Sequence, residues 1–429
     1  MSRFGRILLK TSGAVPTVRF QFACERPMVV QERLLRHIIR SNEDTAFGKE
    51  HHFDQIHSIA DFQRQLPIGS YEYHEPYIQK MLQGEPRQLT AQPPILFAMT
   101  SGTTGRRKYI PVTQESRVAK SKVMRVWLHL ALREHPGILN GRILSVVSPE
   151  IEGYTSSGIP YGAESGHAYK NLPLLIRQQY CVPHDVFTIK DYDSRYYVLL
   201  RMAVEQEVST IATCNPSTIV LLCERMDLWK EDILKDIYAG TIRDDLVLPD
   251  DIRSRLQSHI EPNPDRARVL ESCISRNGGV LAPNCCWDKL VMVSCWKAGS
   301  VKLYLRDFPR FFPHQTAVRD WGYLASELRG SIPISDSGEG GVLTIDTNFF
   351  EFLPEEESES SQKNYLTVDQ LSVGQRYYVY VTTLGGLYRY EMNDLVEVTG
   401  FFRSSPEIQF IRKSQGFCSV TGEKLYEDQ

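Results

Sequence analysis

The chain has 429 residues, more than one hydrophobic core usually supports, so we expect an elaborate large domain or two lobes. Its 42% hydrophobic and 24% charged residues are typical of a globular protein, and a net charge of −3 gives no electrostatic reason to expect a nucleic-acid partner. No apolar run is long enough to cross a bilayer, and nine cysteines without a CxxC pair favour reduced thiols and a cytoplasmic location over a disulfide framework or a zinc site.

The first predicted elements are helices. Residues 28–66 have an apolar stripe at helical spacing, formed by Leu34, Leu35, Ile38 and Ile39. Thr113 is a candidate N-cap of a later helix, and Asn215 followed by Pro216 predicts the start of another.

Short β-rich runs lie between the helical stretches, at residues 143–147, 290–295, 342–345 and 377–383. The acidic, serine-rich residues 355–364 are predicted to form a solvated loop. This alternation favours α/β layers over an all-helical or all-β protein.

The strongest chemical signal is the segment Thr100-Ser101-Gly102-Thr103-Thr104-Gly105-Arg106-Arg107-Lys108. Small residues let successive backbone N–H groups point into one concavity that binds anionic oxygens, and the hydroxyls and Lys108 add donors for a polyphosphate. The spacing is not that of a Walker A loop, because Arg107 stands where that motif has its second glycine. A plain turn is the alternative, but the lysine and the apolar residues 94–99 favour phosphate binding.

A second candidate is Tyr323-Leu324-Ala325-Ser326-Glu327. A hydroxyl beside a carboxylate suits a nucleotide–magnesium site: Ser326 would donate to the α-phosphate, and Glu327 would offer Mg²⁺ a hard oxygen ligand. So short a segment is not specific by itself.

The third candidate runs from Thr382 through the pair Gly385-Gly386 to Tyr390, with Asp394 four residues further on. The carboxylate of Asp394 can accept hydrogen bonds from both hydroxyls of a ribose. The alternative is a β-hairpin with aromatic cross-strand pairs.

In this order the three segments resemble the adenylate-forming superfamily. Finer detail resembles the plant Gretchen Hagen acyl-acid amido synthetases, which conjugate auxin or jasmonate to amino acids, and their microbial relatives. The segments that carry this resemblance span roughly residues 30–429 and include Thr45–Gly48, Phe62–Tyr71, Phe349–Pro354 and Gly422–Leu425.

The resemblance implies an α/β fold in which residues 1–411 form a large N-terminal lobe of β-sheets and a distorted β-barrel flanked by helices. Residues 412–429 would be the hinge and the start of a truncated C-terminal lobe. The pattern of residues 424–429 predicts the opening of a helix there. The resemblance also implies that Thr100–Lys108 holds phosphates, that Ala325, Ser326 and Glu327 contact nucleotide and metal, that Asp394 holds ribose and that Arg412 lies at the hinge. Lys108, Ser326 and Glu327 are the candidate catalytic residues. Lys413-Ser414 departs from the Gly-Arg-x-Asp form common in the superfamily hinge.

The predicted function is ATP- and Mg²⁺-dependent activation of a carboxylic acid as an acyl-adenylate, followed by transfer to an amine such as an amino acid. A thiol or alcohol acceptor, coenzyme A included, and a non-catalytic nucleotide- or acyl-binding role are the alternatives. No nucleic-acid or membrane partner is expected. Because the sequence stops at Gln429, we expect the lysine that the small lobe supplies in this superfamily to be missing and adenylation to be weak.

Overall fold

Helices and strands alternate along the chain, as the sequence predicts. The computed structural model describes residues 11–101, 107–170, 174–414, 417–419 and 424–426. In chain order its α-helices are α1 (Ala14–Ala23), α2 (Pro27–Ser41), α3 (Ala46–Glu50), α4 (Ile59–Gln65), α5 (Tyr71–Leu82), α6 (Gln114–Glu134), α7 (Glu164–Lys170), α8 (Leu174–Arg177), α9 (Tyr192–Glu205), α10 (Pro216–Leu228), α11 (Lys230–Ala239), α12 (Asp250–Gln257), α13 (Pro264–Arg276), α14 (Pro283–Cys286) and α15 (Phe308–Phe311). Short 3₁₀ turns cover Phe53–Gln55, Pro136–Leu139, His184–Thr188, Gly299–Asp307 and Glu355–Glu357.

The strands fall into four sheets. They are β1 (Pro94–Ser101), β2 (Arg107–Thr113), β3 (Arg142–Ser145), β4 (Gly153–Tyr154), β5 (Pro160–Gly162), β6 (Val208–Ala212), β7 (Met292–Ser294), β8 (Ala317–Arg319), β9 (Ser331–Ile332), β10 (Gly340–Leu343), β11 (Asn348–Pro354), β12 (Arg376–Thr383), β13 (Tyr390–Phe402), β14 (Ser405–Lys413), β15 (Phe417–Ser419) and β16 (Lys424–Tyr426). This architecture confirms the predicted mixed α/β class.

The sheets differ in how their strands pair. Strands β3, β6, β7 and β8 form a parallel sheet in that order, whereas the six-stranded sheet β11-β12-β13-β14-β10-β9 is antiparallel. A further four-stranded sheet has the order β2-β1-β5-β4, and β15 pairs with β16. None of the helices in the described part of the chain combines the length and the apolar character needed to span a bilayer.

The two predicted helix starts are confirmed, because each rests on a local hydrogen bond. Thr113 caps α6: its side-chain oxygen accepts the Ser116 N–H at 3.1 Å. Asn215 caps α10 in the same way, accepting the Ser217 N–H at 3.0 Å, with Pro216 as the first helical residue.

One expectation near the end of the chain is wrong. Lys424–Tyr426, which the sequence pattern favours as the opening of a helix, is strand β16 paired with Phe417–Ser419. The predicted lobe boundary after residue 411 falls within β14, which runs to Lys413, and it stays a prediction.

The N-terminal helices share a core with the six-stranded sheet. Leu35, Ile38 and Ile39 of α2 pack in one buried cluster with Phe349 and Phe350 of β11. A buried glutamine fixes this contact: Gln31 Nε2 donates to the carbonyls of Ile345 and Asn348, at 2.5 and 2.7 Å, and its Oε1 accepts the Phe350 N–H at 2.8 Å. The helix and the strand are therefore joined by specific polar contacts as well as by apolar burial.

The turn between β12 and β13 is packed tightly against the loop before β1. Gly386 has φ +90°, and a Cβ there would lie 2.7 Å from Thr90 Cγ2. Glycine is therefore required at this position both for its backbone conformation and for the close approach.

A buried histidine ties helix α5 to the same turn. His74 Nδ1 lies 2.9 Å from the carbonyl oxygen of Ser70, and its Nε2 lies 3.1 Å from the Tyr388 backbone nitrogen, whose N–H it accepts. Burial lowers the pKa of His74 from 6.5 to about 4. The ring must be neutral to accept the Tyr388 N–H, so the folded state favours the uncharged form.

This depressed pKa predicts a loss of stability in mild acid. Because the unfolded chain binds the proton more readily, the His74 contribution is fully present above pH 6.5 and is lost as the pH falls toward 4. Between pH 7.5 and 5 it should amount to about 2 kcal/mol. The free energy of unfolding, measured with urea at both pH values, should fall in wild type as the pH is lowered. In His74→Gln this fall should be smaller by about 2 kcal/mol. Equal drops would contradict the assignment.

Candidate functional site

The predicted phosphate segment lies at the open end of a hairpin. Strands β1 and β2 pair so that Thr100 is opposite Lys108 and Ser101 is opposite Arg107. Gly102, Thr103, Thr104 and Gly105 lie outside the described residues, as does the side chain of Ser101. The structure therefore places both ends of the predicted loop next to each other.

Lys108 lies at the mouth of this hairpin beside helix α5. Its Nζ is 5.2 Å from the centre of the Tyr71 ring, a cation–π contact. The Tyr71 hydroxyl oxygen accepts the backbone N–H of Tyr109 at 3.0 Å. A hydrogen bond from Ser70 lowers the pKa of Glu72, and the Lys108 charge adds to this effect. The lysine is half-buried and forms no ion pair within the described part of the chain.

The segment Ala325–Glu327 forms a tight turn soon after β8. The Ala325 N–H donates to the Leu328 carbonyl at 2.9 Å, and Leu324 forms an antiparallel bridge with Arg329. Lys120 of helix α6 holds this turn: its Nζ donates to the Ser326 carbonyl at 2.7 Å and pairs with Glu164 at 2.9 Å. The helix that follows the phosphate loop is thus bonded to the Ser-Glu segment.

Glu327 faces a narrow pocket between helix α6 and the six-stranded sheet. We call it the Glu327 pocket; it is lined by Ser116, Ala119, Lys120, Glu327, Arg329, Thr347, Asn348, Thr383 and Leu384. The Glu327 carboxylate forms no hydrogen bond or ion pair with any other described residue. An oxygen ligand free of other partners fits Mg²⁺, which proteins hold with one or two carboxylates while substrate phosphates complete its shell.

Asp394 lies in β13, only 3% exposed. Its Oδ2 accepts the Tyr323 hydroxyl at 2.7 Å, and its Oδ1 lies 2.5 Å from Lys413 Nζ. Burial, followed by the Asp394 charge, raises the pKa of Tyr323 well above its usual value, so the phenol stays protonated and donates. Tyr323 thereby connects the second predicted segment to the third.

The second and third segments meet near the ring of Tyr390. Burial raises the pKa of Tyr390, and the next contributions come from Glu327, Tyr71, Glu72 and Asp394. These groups belong to the Ser-Glu turn, to the helix beside Lys108 and to β13. Glu327 and Asp394 thus lie near the same ring, and Lys108 is connected to it through Tyr71.

Arg412 is placed differently from the other candidates. Its guanidinium pairs with Glu355 at 2.9 Å and its side chain is 51% exposed. The next residue, Lys413, reaches Asp394 instead. The predicted hinge role of Arg412 stays a prediction.

Sequence reasoning missed the edge of the parallel sheet. Ligands of open α/β sheets bind in the crevice outside the carboxyl ends of the strands. Here those ends lead into Cys214 after β6, Trp296 after β7 and Trp321 after β8. The Trp296 N–H donates to the Cys214 carbonyl at 2.8 Å, and Trp321 Nε1 donates to the Thr213 carbonyl at 3.1 Å. A cysteine or tryptophan two positions after each of these short apolar strands was the available signal.

A cluster of possible metal ligands lies elsewhere. Glu134, His135 and Asp336 place one ligand atom each within 4.8 Å of one another. Arg319 Nη1 already pairs with Glu134 at 2.6 Å and with Asp336 at 2.7 Å. Because this buried cation balances the carboxylates, we interpret the cluster as a structural ion-pair network.

Comparisons with known proteins identify the family to which the chain is similar. The GH3 family N-terminal domain matches residues 17–317, and the GH3 family central domain matches residues 341–413. The chain is 26% identical over 446 residues to the indole-3-acetic acid-amido synthetase GH3.10 of Arabidopsis thaliana, covering 95% of this chain and 74% of the relative. It is 22% identical over 416 residues to the jasmonoyl--L-amino acid synthetase JAR4 of Nicotiana attenuata, covering 93% and 71%.

Solved structures show the same fold. The GH3.15 acyl acid amido synthetase superposes with a TM-score of 0.79 at 20% sequence identity, covering 94% of this chain and 71% of that one. Its complex with 2,4-DB gives a TM-score of 0.81 at 20% identity, covering 98% and 74%.

Proposed function

Because the chain belongs to the GH3 family, we propose that it is an ATP-dependent ligase that activates a carboxylic acid as an acyl-adenylate and transfers the acyl group to the amine of an amino acid. The observation that carries this proposal is that Glu327 and Asp394 lie around Tyr323 and Tyr390, while Lys108 contacts the neighbouring Tyr71 ring. The names of the relatives support the same reaction class.

In the first step a carboxylate oxygen of the acid attacks the α-phosphorus of ATP, the bond from that phosphorus to the bridging oxygen breaks, and pyrophosphate leaves. In the second step the amine nitrogen attacks the acyl carbon, the bond to AMP breaks, and the amine loses a proton. Neither step needs a covalent bond to the protein, so positioning and charge stabilisation carry the catalysis.

Each candidate residue has a distinct part in this scheme. The hairpin segment with Lys108 holds the phosphates, Ser326 donates to the α-phosphate, and Ala325 and Ser326 border the nucleotide. Glu327 would hold Mg²⁺, which supplies charge neutralisation for the leaving pyrophosphate. Asp394 would accept the ribose hydroxyls, with Tyr323 fixing its orientation through the 2.7 Å hydrogen bond. The cytoplasmic location stays a prediction.

The test is acid-dependent exchange of pyrophosphate into ATP across a panel of carboxylic acids, together with nucleotide binding. Lys108→Ala should weaken ATP binding about 10- to 150-fold, because one charge-assisted contact contributes about 1.5–3 kcal/mol. Its thermal stability should stay unchanged, since the lysine forms no ion pair with a described residue. Lys235→Ala, at an exposed position of α11, is the matched control. An ATP affinity equal in the two variants would refute the phosphate role.

A further inference from the structure

The polar groups that line the Glu327 pocket are nearly all bonded to one another. Lys120 is held by Glu164 and the Ser326 carbonyl. Ser116 completes the cap of helix α6 by accepting the Thr113 N–H at 3.0 Å. These walls therefore offer few unused donors.

The far wall is satisfied in the same way. Asn348 Nδ2 donates to Thr344 Oγ1 at 3.1 Å and to Thr347 Oγ1 at 3.1 Å. Thr383 Oγ1 accepts the Gly385 N–H at 3.3 Å. Each of these groups already has a hydrogen-bond partner within the protein, so none of them is available to bind a ligand.

Two oppositely charged side chains of this pocket have no partner among the described residues. Glu327 and Arg329 line the same pocket, yet they form no ion pair with each other or with any other described residue. The Nε atom of Arg329 is buried and has no hydrogen-bond partner. A buried guanidinium donor without an acceptor is costly, and such a group is normally matched by an anion.

Arg329 also lies near the carboxyl end of the parallel sheet. Burial raises the pKa of the Cys214 thiol, and the Arg329 charge acts against that rise, which places the guanidinium near the residue that follows β6. Glu327 lines the same pocket and lies near Tyr390. Arg329 thus lies between the metal candidate and the strand ends.

We propose that Arg329 is the specificity-determining residue that binds a substrate carboxylate in the Glu327 pocket. The proposal rests on the proposed function, whose acid and amino acid both carry this group. The planar guanidinium presents parallel N–H donors that match the two oxygens of a carboxylate. In the proposed function the phosphates of ATP bind at the β1–β2 hairpin, which leaves the arginine for the second anion.

The experiment compares binding of carboxylates and their uncharged amides by titration calorimetry. The probes are indole-3-acetate with indole-3-acetamide, benzoate with benzamide, and L-isoleucine with L-isoleucinamide, each with AMP present. Wild type should bind at least one carboxylate more tightly than its amide. Arg329→Met should weaken that carboxylate about 10- to 100-fold while the amide and ATP keep their affinities. Arg329→Lys should recover part of the loss, because lysine keeps the positive charge but lacks the pair of parallel N–H donors.

The two sources of the carboxylate are told apart by the probes. A selective effect on indole-3-acetate or benzoate identifies the acid to be activated, and one on isoleucine identifies the acceptor. Arg268→Met, on the exposed side of α13, is the control and should change neither. Equal losses of acid and amide, a loss of ATP affinity in Arg329→Met, or no carboxylate preference in wild type overturns the proposal.

Failure of the proposed function gives a different pattern. If wild type binds a carboxylate through Arg329 but exchanges no pyrophosphate with any acid, the adenylation reaction is refuted and the carboxylate site stands. If exchange proceeds with an unchanged KM for the acid and for the amino acid in Arg329→Met, the ligase function stands and the role of Arg329 is refuted.

Discussion

Arg389→Met is expected to lower the free energy of unfolding by about 3–5 kcal/mol, because it leaves a buried carboxylate without its partner. Arg389 and Glu351 have side chains only 3% and 0% exposed. Arg389 Nε and Nη2 both donate to Glu351, at 3.0 and 2.8 Å, and Nη1 donates to the carbonyls of Gln63 and Leu66 at 2.8 and 2.5 Å. One side chain therefore joins β11, the turn before β13 and the end of helix α4.

Chemical denaturation of single and double variants measures this effect. The double variant Glu351→Leu with Arg389→Met should recover most of the loss, because no uncompensated charge remains buried. A double variant as unstable as the sum of the single ones would show that packing or the Gln63 and Leu66 carbonyls dominate. Arg389 has φ +44°, a conformation that arginine and methionine must both adopt here. The variants therefore differ in their side chains and not in backbone strain.

Glu327→Gln is expected to slow adenylation by a factor on the order of a hundred or more, since it removes the carboxylate proposed for Mg²⁺. It should weaken MgATP binding much more than binding of metal-free AMP. The variant keeps the size of the side chain, and Glu327 has no bonded partner among the described residues whose loss would unfold the turn. ATP–pyrophosphate exchange and calorimetry with and without Mg²⁺ provide the measurements.

Asp394→Asn is the comparison variant for this experiment. If Asp394 binds ribose, the variant should bind ribonucleotides more weakly than wild type, while its affinity for 2′,3′-dideoxy analogues should be nearly unaffected, with or without Mg²⁺. Identical profiles for the two variants would mean that the metal and ribose roles are not separate.

The parts of the molecule that sequence predicted correctly depend on local chemistry. The caps Thr113 and Asn215 each bond to a residue two or three positions away, so the pattern is readable without the fold. The turn at Gly386 is signalled by its own residue type. The order of the three chemical segments indicated the family, which the two domain matches confirm.

What the sequence did not predict depends on partners far along the chain. Arg389 lies inside the third segment, but its structural role depends on Glu351, 38 residues earlier. Lys413 reaches Asp394 only because β13 and β14 pair in the register that sets these residues opposite each other. The prediction of a helix at Lys424–Tyr426 is wrong because the segment is too short for its periodicity to decide between helix and strand. Pairing with Phe417–Ser419, which the sequence does not reveal, makes it a strand.

The buried amide of Gln31 has a consequence for how the chain acquires its shape during synthesis. Its acceptors and donor on the sheet side lie 314 to 319 residues downstream. Until the ribosome has made that strand, the apolar stripe of Leu35, Ile38 and Ile39 lacks the β11 surface against which it packs, and closing so long a loop is slow. The stripe is therefore exposed on the nascent chain, where it is a binding site for chaperones. It also means that the two matched family domains, divided between residues 317 and 341, are segments of sequence that complete their folding together.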